Sequence, residues 1–409
     1  VSTGTNNTIV GGSAGDALTT GVRNVAIGKG ALSTEDTGSY NVAIGESALT
    51  DQNVDDAYNV AVGYHSGLSV TTGIYNNLIG GNAGSSLTTG TRNVAIGYNA
   101  LQAEDAHGRN IAIGHNALYA QDAGADAYNV AIGYDAGVAV TTGINNTIIG
   151  GSAGDALTTG SYNVAIGKGA LSAEDTGGTN VAIGYNALTV QDAGANAYNV
   201  AIGFDTGKAV STGVQNTIIG GAAGDAATTG NLNTLIGYAA GGATTIGGNN
   251  TAIGGGALDD LTEGVNNVAL GQGAGNTVTA GNNNIYLGRQ AVASSSNVNG
   301  EIVIGEGLTG LGAGTTRIGG NIQISDLTPT FSAITDSSIT LVSGTEYLVN
   351  DANGGAMVLP SAGQGKRIII NIGTKITSNT LTITAASGDL LKGFAFLEAT
   401  DAANNKTMF

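Results

Sequence analysis

A β-solenoid followed by a small β domain is the fold this sequence predicts. Three observations carry that reading: a repeat of 17 to 19 residues, a β-branched alternation inside each repeat, and a glycine at the same place in every one. The core of the repeat is Asn-Val-Ala-Ile-Gly, at 24–28, 41–45, 93–97, 129–133, 163–167, 180–184 and 199–203. Its glycine recurs as Gly11, Gly28, Gly45, Gly63, Gly80, Gly97, Gly114, Gly133, Gly150, Gly167, Gly184, Gly203, Gly220, Gly237, Gly254, Gly271 and Gly288, each with Asn four residues ahead. A short fixed period gives one coil per repeat, so the product is a stack and not a globule.

Within a coil, the residues at −3 and −1 from the glycine (Val25 and Ile27) fall on one face of an extended segment. Those at −4 and −2 (Asn24 and Ala26) fall on the other. β-branched residues suit a pleated surface, and a glycine in every repeat would weaken a helix. An Ala-Leu pair follows, as at 31–32, 48–49, 100–101 and 187–188, and then Thr-Thr-Gly turns such as 19–21, 88–90 and 158–160. The expectation is two short strands and two turns per coil. About eighteen coils at ~4.8 Å make a shaft of roughly 85 Å.

The recurrent asparagines, Asn24, Asn41, Asn59, Asn93, Asn129, Asn163, Asn180 and Asn199, read as a structural amide ladder, because a residue present in every coil marks no local site. The glycines Gly28, Gly45, Gly97, Gly133, Gly167 and Gly184 read as coil corners.

A longer period overlies the short one. Gly11, Gly80, Gly150 and Gly220 each open a coil in which Ile9, Leu78, Ile148 or Ile218 replaces the alanine at −2. The long intervals end at Gly63, Gly133 and Gly203, which places insertions at 51–57, 121–127 and 191–197, projecting as loops from one edge. The repeat fades after Gly288, so the shaft is assigned to residues 1–320 and a small antiparallel β domain to 321–409. Its expected strands are 339–342, 346–349, 356–359, 367–372, 380–384 and 390–397. Val1 opens inside a repeat, so the chain reads as a piece of something longer that lacks an N-terminal attachment region, and the C-terminal domain reads as incomplete.

Composition bounds the function. Gly is 70 of 409 residues with only 2 Pro, and hydrophobic residues are 41%, which excludes collagen and a disordered chain. A formal charge of −17 argues against a nucleic-acid or anionic-membrane partner. No apolar run is long enough for membrane insertion, and Cys is absent.

Site chemistry is sparse. His65, His107 and His115 lack metal-ligand spacing and read as exposed turn residues. The pairs Glu35-Asp36, Glu104-Asp105 and Glu174-Asp175 recur at the four-coil period. Paired carboxylates serve glycoside hydrolysis, but adjacent loop acids without an apolar pocket read as solvated corner charges. A calcium site at Asp51, Asp55 and Asp56 lacks any standard loop spacing. The expectation is no catalytic residue, no metal and no cofactor.

The Asn-Val-Ala-Ile-Gly repeat, over about residues 5–305, resembles two related things. One is the β-roll of trimeric autotransporter adhesin heads; the other is the Gly- and Asn-rich shaft of bacteriophage tail or head fibres. The run from Tyr347 to Ile368 resembles small terminal domains of phage fibre proteins. The resemblance implies a homotrimer in which Val25 and Ile27 fill the protomer. It would place Ala26, Ala43, Ala95, Ala165 and Ala182 at the trimer interface; the coils of the Ile9 type depart from the family pattern, and if the −2 face meets another subunit, Ile148 and Ile218 supply a hydrophobic layer there. It further implies a structural and adhesive fibre at the virion surface, partnered by other virion proteins and a host-cell receptor, glycans included. The alternatives are a bacterial cell-surface adhesin passenger and a fibre-borne polysaccharide depolymerase.

Overall fold

The computed structural model describes residues 2–319 and five short strands beyond them. Residues 2–319 form a parallel β-solenoid. Nineteen strands of three residues, from Thr8–Val10 to Thr316–Ile318, stack in sequence order into one parallel sheet. The register holds from coil to coil, pairing Val25 with Val42, Ala26 with Ala43 and Ile27 with Ile44.

Each coil contains one strand and not the expected two. The Ala-Leu element is a turn whose leucine adopts the left-handed conformation: φ is +52° at Leu32, +49° at Leu49 and +54° at Leu171. An extended run cannot pass through such residues. The turns nevertheless stack, because Leu32 N–H donates to the Ala48 carbonyl (3.0 Å) and Thr34 N–H to the Thr50 carbonyl (3.1 Å). Coil-to-coil hydrogen bonding thus continues well past the strand.

The two faces of the strand are the reverse of the assignment drawn from the resemblance. Ala26, Ala43, Ala95, Ala165, Ala182 and Ile148 are 0% exposed and Ile218 1% exposed within a single protomer. They line its own core and do not offer a trimer interface. Val25 and Ile27, and their equivalents, are half-exposed on the outer face. The reason is volume. A 17-residue coil encloses little space, and the turn leucines Leu32, Leu49, Leu101 and Leu171 already occupy it, all at 0% exposure. What remains opposite them admits only a methyl group.

The four-coil superperiod follows the same rule. Where Ile148 replaces alanine at −2, Gly154 replaces leucine at +4, and a Cβ on Gly154 would lie 3.5 Å from Ile148 Cδ1. Leu78 and Gly84 make the same exchange at 2.9 Å, and Ile218 with Gly224 at 3.3 Å. The bulk moves from one wall to the other while core volume stays filled, as close packing requires.

The pattern changes in the last described coils. Tyr286 takes the −2 position with 0% exposure, and Glu301 ends the asparagine column. Its longer side chain accepts from Gly312 N–H at 2.8 Å and from Ser294 N–H at 3.1 Å.

Residues 323–409 form a separate unit. Its described strands are Ser338–Thr340, Glu346–Val349, Ala356–Val358, Ile369–Ile372 and Thr382–Thr384. They pair in parallel: the first, third and fifth form one sheet, and the second and fourth another. The antiparallel expectation is therefore corrected for these strands. The turn signals between them join strands of different sheets, so consecutive segments are not hairpins. The predicted strand at 390–397 lies outside the described residues.

Candidate functional sites

The inner wall carries two polar columns. The first is the asparagine column, which bonds forward from each coil. Asn24 Oδ1 accepts from the Asn41 backbone N–H (2.9 Å), and Asn24 Nδ2 donates to the Gly38 carbonyl (2.8 Å). The pattern repeats at Asn163, whose Oδ1 accepts from Asn180 N–H at 3.0 Å and whose Nδ2 donates to Gly177 at 3.0 Å. The side-chain amide thus extends the strand ladder one position further. Direct amide-to-amide bonds join only some coils, as from Asn267 Nδ2 to Asn250 Oδ1 at 3.1 Å. Asn24, Asn41, Asn59, Asn93, Asn129, Asn163, Asn180 and Asn199 all lie in this column at 0% exposure.

The corner glycines stack beside it. Gly28, Gly45, Gly97, Gly133, Gly167 and Gly184 all have φ between +131° and +145°. A Cβ on Gly167 would lie 2.3 Å from the Gly184 carbonyl oxygen, so glycine is required twice over.

The second polar column stands seven residues after the corner glycine, and the sequence reading missed it. In most coils this position is apolar and buried, as at Leu18, Val70, Leu87 and Val140. In two coils of each of the first three four-coil blocks it is Glu followed by Gln: Glu35 and Gln52, Glu104 and Gln121, Glu174 and Gln191, all at 0% exposure, while the fourth block has Thr244 and Leu261 there. The expected solvated corner acids are therefore half right at most, since the glutamates point into the interior. Burial raises Glu35 above the usual carboxylate range and lifts Glu104 and Glu174 to about 7. The signal was present in the alignment of coils, which places these glutamates in register with Leu and Val.

The three copies differ in how the glutamate is satisfied. Gln52 Nε2 donates to Glu35 Oε2 at 3.0 Å. Gln121 Nε2 turns instead to the Thr141 carbonyl (2.9 Å), and Glu104 Oε2 is buried without a partner. Glu174 Oε2 and Gln191 Nε2 are likewise unpartnered.

In these last two copies carboxylates converge. One ligand atom each from Glu104, Asp105, His107 and Asp122 lies within 4.8 Å of the others, and Glu174, Asp175 and Asp192 do the same. The histidine expectation is corrected accordingly: His107 belongs to a cluster and its Nδ1 is buried and unpartnered. Among the described residues, Asp51, Asp55 and Asp56 form no such group. His65 stacks on Tyr64 at 3.7 Å, and His115 lies between Tyr98 and Tyr134.

The outer face is a third surface of interest. Its two central columns hold the residues at −3 and −1 of each strand, bordered by exposed aromatics. Tyr40, Tyr58 and Tyr75 stack at 4.7 and 5.6 Å, capped by Arg23 and Arg92 over the end rings. No family model, curated protein or solved structure matches the chain.

Proposed function

We propose that this chain is the shaft of a homotrimeric structural and adhesive fibre on a virus particle, holding a receptor-binding tip away from the particle surface. The observation that supports it is the outer face. From Thr8 and Val10 to Thr316 and Ile318, no residue at either outward strand position is charged, although the chain carries −17 overall. Most of these residues are Val, Ile or Thr, and they stay half-exposed in one protomer. Two columns of nineteen strands present on the order of 600 Å² per protomer, near the area each partner of a stable complex contributes.

A second copy fits this stripe better than an unrelated partner. Another copy has the same coil rise, so its side chains stay in register along the whole length. Acidic chains can also meet along an uncharged seam without like-charge repulsion. Trimerisation through Val25- and Ile27-type residues replaces the alanine interface that the resemblance implied. The half-buried corner acids lend little to a depolymerase reading, since a carboxyl sealed at 0% exposure, as at Glu104, does not reach a glycosidic oxygen.

The test is the solution mass of residues 1–409 by light scattering at micromolar concentration. A trimer supports the fibre reading; a monodisperse monomer rejects it.

A further inference from the structure

We propose that Glu104, Asp105, His107 and Asp122 form a binding site for one divalent metal ion, with three carboxylates and one imidazole as its donors and Mn²⁺ as the probe. All four residues belong to one protomer. The geometry runs from solvent inward: Asp105 and Asp122 are exposed, His107 is half-buried and Glu104 is buried. One ligand atom from each lies within 4.8 Å of the others, close enough for a single ion to draw them together.

The second, independent observation is at the inner end. Glu104 is 0% exposed, and its Oε2 has no hydrogen-bond partner. Its Oε1 accepts from His107 N–H at 3.1 Å, which fixes the carboxyl in place. His107 Nδ1 is also buried and unpartnered, 3.7 Å from Glu104 Oε1. Two potential ligand atoms are thus stripped of water and given nothing by the protein, a costly arrangement unless something else binds them.

The chain supplies its own comparison. In the first block the position equivalent to Asp122 is Asn53, and there Gln52 completes Glu35 through a hydrogen bond at 3.0 Å. Where aspartate replaces that asparagine, at Asp122 and Asp192, the Gln–Glu bond is absent and the glutamate oxygen is left free. The third block keeps three carboxylates, Glu174, Asp175 and Asp192, without an imidazole. Oxygen-only donors suit harder cations, whereas adding imidazole shifts preference toward borderline ions. The fourth donor makes the second block the tighter site, and Mn²⁺, which takes carboxylate oxygens, probes both.

The experiment is a titration of the full chain with Mn²⁺, following the free-ion electron paramagnetic resonance signal, with circular dichroism confirming that each variant is folded. The expected result is one tighter equivalent per chain. Asp122→Asn and His107→Ala should each weaken it tenfold or more, and His115→Ala should leave it unchanged. Asp122 is exposed and His107 half-buried, so their variants should keep the coil intact. Absence of saturable Mn²⁺ binding by the folded protein would overturn the proposal and leave a proton as the neutralising species. Binding that survives both Asp122→Asn and His107→Ala would overturn it equally.

Discussion

At the scale of residues, the glutamates at the seventh position after the corner are carboxyls held inside an apolar column. Glu35-Asp36 reads as two surface acids because neighbouring charges normally share solvent. A tight turn sends the first inward and the second outward, and only the coil register reveals it. The consequence is a pH dependence. Without divalent ions, Glu174 titrates near 7 in the folded chain and near the ordinary value of ~4.3 when unfolded. The folded state then holds more protons between those values, so stability is highest below the unfolded pKa and falls as pH rises through the folded one. Glu174→Gln removes this term. In chelator, its melting temperature should differ little from wild type at pH 4 and exceed it increasingly up to pH 8. A difference independent of pH would contradict the assignment. The corner glycine gives a second prediction at this scale. Gly167→Ala forces a side chain into φ +131° and against the Gly184 carbonyl, and should cost about 2 kcal/mol or more in denaturant unfolding.

At the scale of a coil, the strand itself was readable from Asn-Val-Ala-Ile-Gly, because β-branched alternation ending in glycine has few other uses. Which face turned inward was not readable. Burial of apolar area alone favours Val and Ile inside. The interior volume left by the turn leucines decides for alanine. The expected second strand failed for a related reason, since Leu32 and its equivalents occupy a left-handed conformation that their sequence does not advertise. The exchange of bulk between walls is directly testable. Ile148→Ala should cost about 2–4 kcal/mol through the cavity it leaves between Gly137 and Gly154, and Gly154→Leu alone should destabilise because the side chain beyond its Cβ meets Ile148. The double variant recreates the Ala165 and Leu171 type of coil and should recover part of the loss. Gly154 already has φ +50°, close to the +54° of Leu171, so the leucine needs no new backbone. Simple additivity of the two single losses in chemical denaturation would refute the exchange.

At the scale of the whole solenoid, stability is a sum over coils and their neighbours. The repeat period made this architecture legible before any coordinate. Its outer face was not, because its meaning depends on the direction of alanine. Alanine faces the protomer's own core, and in the proposed assembly the Val/Ile columns meet a second copy. The most direct measurement compares Ala165→Asp with Ile166→Asp by thermal circular dichroism and light scattering. The account predicts that Ala165→Asp, which buries an unpaired charge, abolishes or strongly lowers the folding transition. It predicts that Ile166→Asp keeps the protomer's β signal while lowering the assembled mass. A folded Ala165→Asp beside an unfolded Ile166→Asp would contradict it.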